Sequence, residues 1–128
     1  DTLGEALLEP TRIYTDLLSP MREHGVRGAA HITGGGWTNL ERLGDHRYVV
    51  DDPFDPQPVF DFVQEQGNVS DAEMHTTFNM GTGFVAAVGD DATADDLAAA
   101  TDGRVIGHVE ASDDHDDRAG VSIRGLDL

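Results

Sequence analysis

The chain has 128 residues, enough for one domain with a modest core, and no cysteine, which excludes disulfides, thiolate catalysis and cysteine-held metal or iron–sulfur centres. Its 25 acidic residues stand against eight basic ones, all arginine, for a formal charge of −17, so no basic face is available for nucleic acid. No apolar run is long enough to cross a bilayer, and the opening Asp1-Thr2-Leu3-Gly4-Glu5 lacks the basic and apolar regions of a signal peptide; a cytoplasmic protein without membrane contact is expected.

With 38% hydrophobic residues and regular apolar periods, the chain is read as folded rather than disordered. Its surface then carries more carboxylate than dilute buffer tolerates. Molar salt shortens the Debye length to about 3 Å and removes that repulsion, which points to a halophilic source.

In chain order, Ile13, Leu17, Leu18 and Met21 recur at helical spacing within Arg12 to His24, with a kink or restart expected at Ser19-Pro20. Val26 to Thr33 alternates, placing Gly28, Ala30 and Ile32 on one side of a strand and Ala29, His31 and Thr33 on the other. The strand ends at Gly34-Gly35-Gly36, and Trp37, Leu40 and Leu43 continue it as a helix. Tyr48 to Val50 is a short strand, and Asp51-Asp52-Pro53 and Asp55-Pro56 are turns. Pro58 to Gln66 reads as a helix with Val59, Phe60 and Val63 inward, stopped at Gly67-Asn68. Ser70 and Glu73 form a capping box that starts the next helix. Phe78 to Val88 is the most strand-like run, despite Gly81 and Gly83 inside it. Thr93 is expected to cap a helix ending at Asp102-Gly103, and Arg104 to Val109 and Gly120 to Arg124 are the last strands. There is no internal repeat and no linker marking a second domain.

Four features could carry chemistry. Glycines at the strand-to-helix junction Gly34-Gly35-Gly36 let backbone N–H groups converge on a phosphate or carboxylate, or else serve a tight turn. His31 and Thr33 project toward that loop, where His31 could donate to a phosphate, shuttle a proton, or simply sit hydrogen-bonded at a sheet edge. Thr11-Arg12 offers a guanidinium for a phosphate, or for a surface ion pair. The run Asp113-Asp114-His115-Asp116-Asp117 lacks calcium-loop spacing and is read as a solvated acidic loop, so no metal ligands are assigned. Neither nucleotide fingerprint, Gly-x-x-x-x-Gly-Lys or Gly-x-Gly-x-x-Gly, is present.

Several segments together resemble the C-terminal half of aminoimidazole ribonucleotide synthetases. These are Gly4-Glu5-Ala6-Leu7-Leu8-Glu9-Pro10-Thr11-Arg12-Ile13-Tyr14, then Ala30 to Gly36 with Asn39-Leu40 and Arg42, then Pro58-Val59-Phe60 to Val69, and finally Glu73-Met74 with Thr77 to Gly83. The resemblance implies an α/β (α+β) domain, a mixed sheet flanked by helices, joined in the full enzyme to an N-terminal domain holding most of the ATP and magnesium contacts. It implies ATP-dependent ring closure of formylglycinamidine ribonucleotide to aminoimidazole ribonucleotide in purine biosynthesis, by a homodimeric enzyme in which this domain is one wall of the cleft and is inactive alone. Carried over by position, His31 becomes the candidate catalytic residue, and Thr11, Arg12, Thr33, Gly34, Gly35 and Gly36 the nucleotide-substrate contacts. Asn79, Gly81 and Gly83 rank second. The chain departs from the family pattern at His75-Thr76, where an aromatic and a basic residue are usual, at Met80, where cysteine is frequent, and in a shortened segment around Gly44-Asp45. Two other readings stand beside this one. One is a relative of the same superfamily, such as formylglycinamidine synthetase or thiamine-monophosphate kinase; the other is a stand-alone ligand-binding domain without catalysis.

The acidic surface makes one prediction that needs no ligand. Thermal melts should rise steadily from dilute buffer to molar potassium chloride; a flat or falling series would contradict the halophilic reading.

Overall fold

The computed structural model describes residues 2–112 and 119–128, so the acidic run Asp113 to Asp117 lies outside the described residues. Thr2 opens the first helix, α1 (Leu3–Leu8), with a reciprocal capping box: its hydroxyl accepts the Glu5 N–H at 3.2 Å and its own N–H donates to the Glu5 carboxylate at 3.0 Å. Arg12 to Tyr14, expected as helix, is instead irregular, and a 3-10 turn at Thr15–Leu17 runs into α2 (Leu18–Glu23). Pro20 does not interrupt α2. It is the third residue of the helix, where its missing N–H has no intrahelical partner to lose.

Two sheets follow. Strand β1 (Gly28–His31) pairs antiparallel with β3 (Phe84–Ala87), Gly28 opposite Ala87 and His31 opposite Phe84. The four-stranded sheet has β2 (His46–Val50) near its centre, antiparallel to β4 (Gly107–Ala111) and parallel to β5 (Gly120–Ile123), with β6 (Leu126–Asp127) on the far edge. Helices α3 (Pro58–Gly67), α4 (Asp71–Thr77) and α5 (Asp91–Thr101) complete the chain, which is the expected α+β domain with a mixed sheet and helices, divided into two sheets rather than one.

The segment between the sheets is what joins them. Gly36–Leu43 forms a 3-10 helix rather than an α-helix, and Trp37, Leu40 and Leu43, three residues apart, line one face of a helix with three residues per turn. Trp37 and Leu40 are 1% and 2% exposed. They pack with Ala30 and Ile32 of the β1 segment, Tyr48 and Val50 of β2, and Val121 and Ile123 of β5 in a single core. Tyr48 donates to the Gly44 carbonyl at 2.8 Å and so fixes the exit from this helix. Burial pushes its hydroxyl above the ordinary pKa, with the charges of Asp45 and Glu41 adding to the effect.

Three other expectations are corrected. Phe78 to Gly83 is not strand, because Met80 and Gly81 both have positive φ and Thr82 N–H donates back to the Asn79 carbonyl at 3.1 Å, a turn that delays β3 to Phe84. The final strand is followed by a reversal at Arg124-Gly125, both with positive φ, which adds β6. Arg104 to Ile106 precede β4; the Arg104 guanidinium lies 5.3 Å from the Phe54 ring centre and donates to the Pro53 carbonyl at 3.1 Å.

The cap of α5 is Asp90, not Thr93. Asp90 is extended, and its carboxylate accepts the Thr93 N–H at 2.8 Å, which leaves Thr93 in the first turn. That hydrogen bond, then one from the Thr93 side chain, with Arg27 nearby, holds the Asp90 carboxyl below its ordinary value of 3.8. A depressed native value means that the stabilisation is present above 3.8 and lost as pH falls through the native value. Asp90→Ala should therefore melt below the parent at pH 7, with the gap closing in strong acid; a gap that persists unchanged at low pH would exclude the carboxylate cap.

Candidate functional site

The glycine-rich junction is organised from beneath by Asn39, a buried polar residue on the 3-10 helix. Its amide nitrogen lies 3.3 Å from the Thr33 carbonyl oxygen, 3.1 Å from that of Gly34 and 2.8 Å from that of Gly36. The Thr38 hydroxyl takes the Gly35 carbonyl at 2.6 Å, and the Gly36 N–H closes the turn on Thr33 at 2.8 Å. All peptide bonds here are trans, so each N–H points opposite to the carbonyl of its own peptide unit. Drawing the Thr33 and Gly34 carbonyls inward to Asn39 turns the Gly34 and Gly35 N–H groups outward. Among the described residues no acceptor takes either of them, and both glycines are exposed. Two free amides beside a helix N-terminus can receive an anion.

The three glycines have different reasons to be glycine. A Cβ on Gly36 would overlap the His75 carbonyl oxygen and approach that of Phe78 to 2.8 Å, and its φ is +57°. Gly36 therefore keeps the loop against the end of α4. Gly35 needs its φ of +95° but has room. Gly34 has neither a positive φ nor any atom within 4 Å of its would-be Cβ. Nothing within the fold demands glycine there, whereas a ligand approaching the backbone would.

His31 and Thr33 are both exposed, on the face opposite buried Ala30 and Ile32, as the alternation requires. Arg12 reaches the same region through Tyr14. Its guanidinium carbon lies 5.2 Å from the Tyr14 ring centre, and its Nη2 is 3.2 Å from the Asp16 carboxylate. The Tyr14 ring in turn stacks on Phe84 at 5.2 Å and meets His31 edge-on at 5.7 Å. Thr11 is exposed beside Arg12. The structure thus brings Arg12 and His31 to one aromatic ring, with His31 three residues before the glycine loop in the chain.

Asn79, Gly81 and Gly83 play local parts. The Asn79 side chain accepts the Gly81 N–H at 2.9 Å, Gly81 has positive φ and presses on the Asp55 carbonyl, and a Cβ on Gly83 would overlap the Tyr14 hydroxyl. An open cleft of about 710 Å³, lined from both sheets by residues including Val85, Leu97, Ile106 and Val109, reaches Arg12 and Tyr14 but not the glycine loop. Asn39 and Tyr14 were not singled out from sequence as site residues. The signal for Asn39 was a polar residue two positions after Trp37 and next to Leu40, inside an apolar helix face. For Tyr14 it was an aromatic residue two positions after Arg12, close enough in the chain for the guanidinium to reach the ring.

Over residues 1–119 the chain matches the family described as AIR synthase related protein, C-terminal domain. It belongs to that family. The chain is 48% identical over 114 residues to the phosphoribosylformylglycinamidine cyclo-ligase of Methanopyrus kandleri, covering 85% of this chain and 33% of that protein. It is 40% identical to the enzyme of the same name from Methanococcoides burtonii over 127 residues, 99% of this chain and 36% of the relative. To that of Thermoplasma acidophilum it is 47% identical over 110 residues, 83% and 32%. The chain spans about a third of the length of these relatives. No helix among the described residues is long and apolar enough to cross a membrane.

The fold makes unequal demands on the glycines of this AIR synthase C-terminal domain. Gly36→Ala should destabilise by more than about 2 kcal/mol through backbone strain and overlap, whereas Gly34→Ala should stay within about 0.5 kcal/mol. Urea titrations followed by the fluorescence of Trp37, the single tryptophan, measure both. Equal losses would mean that the fold itself demands glycine at both positions.

Proposed function

We propose that this domain forms the substrate-facing wall of a phosphoribosylformylglycinamidine cyclo-ligase, which closes formylglycinamidine ribonucleotide to aminoimidazole ribonucleotide at the expense of ATP in purine biosynthesis. The observation that carries the reading is the pair of outward amides at Gly34 and Gly35, three residues on from His31, which shares the Tyr14 ring with Arg12, on a chain of charge −17. An anionic nucleotide needs such a place on so acidic a protein, and backbone N–H groups supply it without a lysine. Identities of 40–48% to relatives bearing the cyclo-ligase name favour this enzyme over formylglycinamidine synthetase, thiamine-monophosphate kinase or a stand-alone binding domain.

In this reading Gly34, Gly35 and Thr33 receive the substrate phosphate, Thr11 and Arg12 flank it, and His31 stands beside the loop as the proton donor or acceptor, while Gly36, whose N–H is taken by the Thr33 carbonyl, holds the loop in shape. Among the described residues no three His, Asp or Glu side chains converge to hold a metal ion, and we assign ATP and magnesium to an N-terminal domain of the same enzyme. Leu8 and Ile13, 83% and 77% exposed, bracket Thr11 and Arg12 and offer that domain an apolar surface. Phosphoryl transfer is mostly placement and charge neutralisation, which one wall of a cleft does not achieve alone. The full enzyme is taken as a homodimer in the cytoplasm of a salt-adapted organism.

The test joins this chain to the remaining two thirds of the Methanopyrus kandleri relative in place of that enzyme's matching third. The chimera should form aminoimidazole ribonucleotide from formylglycinamidine ribonucleotide and ATP in high salt, and the 128-residue chain alone should not. Turnover by the chain alone, or a folded chimera without turnover, would overturn the proposal.

A further inference from the structure

We infer that Tyr14 is the positioning residue of this site, holding Arg12 and His31 in place for an anion at the glycine loop, an inference that rests on the proposed substrate wall. Phe84 lies directly opposite His31 in the pairing of β1 with β3, so the Tyr14 ring, stacked on one and edge-on to the other, covers a single cross-strand pair. Its hydroxyl lies against Gly83, where a side chain would displace the ring, so the glycine gives the ring its room. The chain is further anchored there by the Ile32 N–H donating to the Gly83 carbonyl at 2.8 Å, immediately after His31.

Arg12 has two holds, the Tyr14 ring at 5.2 Å and the Asp16 carboxylate at 3.2 Å. The second is an exposed ion pair and a weak restraint. Without the ring, a mobile guanidinium on a chain with 25 acidic residues has many other carboxylates to visit. His31 is exposed, and the ring contact is what limits its rotation. The hydroxyl of Tyr14 makes no hydrogen bond among the described residues, so the ring does the positioning and phenylalanine should serve in its place.

The first experiment reads the 128-residue chain by NMR in high salt. Tyr14→Phe should leave the His31 ring signals and the Arg12 Nε–H in place, while Tyr14→Leu should shift the former and broaden the latter. Unchanged His31 and Arg12 signals in Tyr14→Leu would overturn the inference. If that variant fails to fold, Gly83→Ala provides the same test: it should displace the Tyr14 ring and shift His31, and adding Tyr14→Phe should restore part of the shift; no shift in Gly83→Ala would count equally against it. The second experiment uses the chimera. Tyr14→Leu should lower kcat/KM about tenfold, the size of one aromatic pair and one cation–π contact, with Tyr14→Phe within about twofold. In a variant already carrying Arg12→Ala and His31→Ala, Tyr14→Leu should add nothing further; a full additional loss would mean that Tyr14 does not act through them. An inactive chimera defeats the proposed function, while the NMR result still decides the role of Tyr14.

Discussion

The backbone at Gly36 passes so close to the His75 and Phe78 carbonyls that no other residue fits, and the architecture of the domain depends on that approach. It brings the end of α4 against the start of the 3-10 helix, sets the positive φ that turns the chain out of the glycine loop, and delivers Trp37 into the core one residue later. Trp37 and Leu40 then bind β1 to the mixed sheet. Loop and core are consecutive residues of one segment, so the geometry offered to a ligand is inherited from the packing of the core. Asn39 belongs to both, with its backbone in the helix and its amide gathering the loop carbonyls.

Much of this was legible in the chain because burial leaves periodic traces. The alternation from Gly28 to Thr33 assigned the right residues to core and surface, and Gly67-Asn68 and Asp102-Gly103 stopped their helices through αL residues at Asn68 and Asp102. What was lost turned on conformations that composition encodes weakly. A spacing of three is compatible with an α-helix or a 3-10 helix, and only packing against α4 and β1 decides at Trp37, Leu40 and Leu43. Met80 adopts positive φ without being glycine or asparagine, so the turn before β3 was marked in the sequence only by Gly81 and Gly83 inside a strand-like run. The candidate site was legible as a glycine loop with His31 on the strand leading into it and Arg12 as a further anion contact. The mutual contact of Arg12 and His31 through Tyr14 was not, since it joins residues 12, 14, 31 and 84 across two strands.

The use of arginine alone fits this surface. Arg12, Arg47, Arg104 and Arg124 each face a carboxylate, and such exposed pairs contribute little individually. Two of the four also lie over aromatic rings, Arg12 on Tyr14 and Arg104 on Phe54. A planar guanidinium can stack and pair at once, which an ammonium does poorly. In strong salt the ion pair fades while the stacked contact is screened less, so the arginines that matter to the fold and the site are those resting on rings.

The order of strands also bears on how the domain is made. β2 is complete at Val50, yet its parallel neighbour β5 begins only at Gly120, and Val121 and Ile123 from that late strand fill the same core as Trp37. A chain emerging from the ribosome must hold this central apolar face open until β5 has been synthesised, about seventy residues after β2, and the closing contact spans a loop whose entropy is lost before any reward. Until then the exposed strand edges are open to other chains. The dense negative charge keeps such unfinished chains apart.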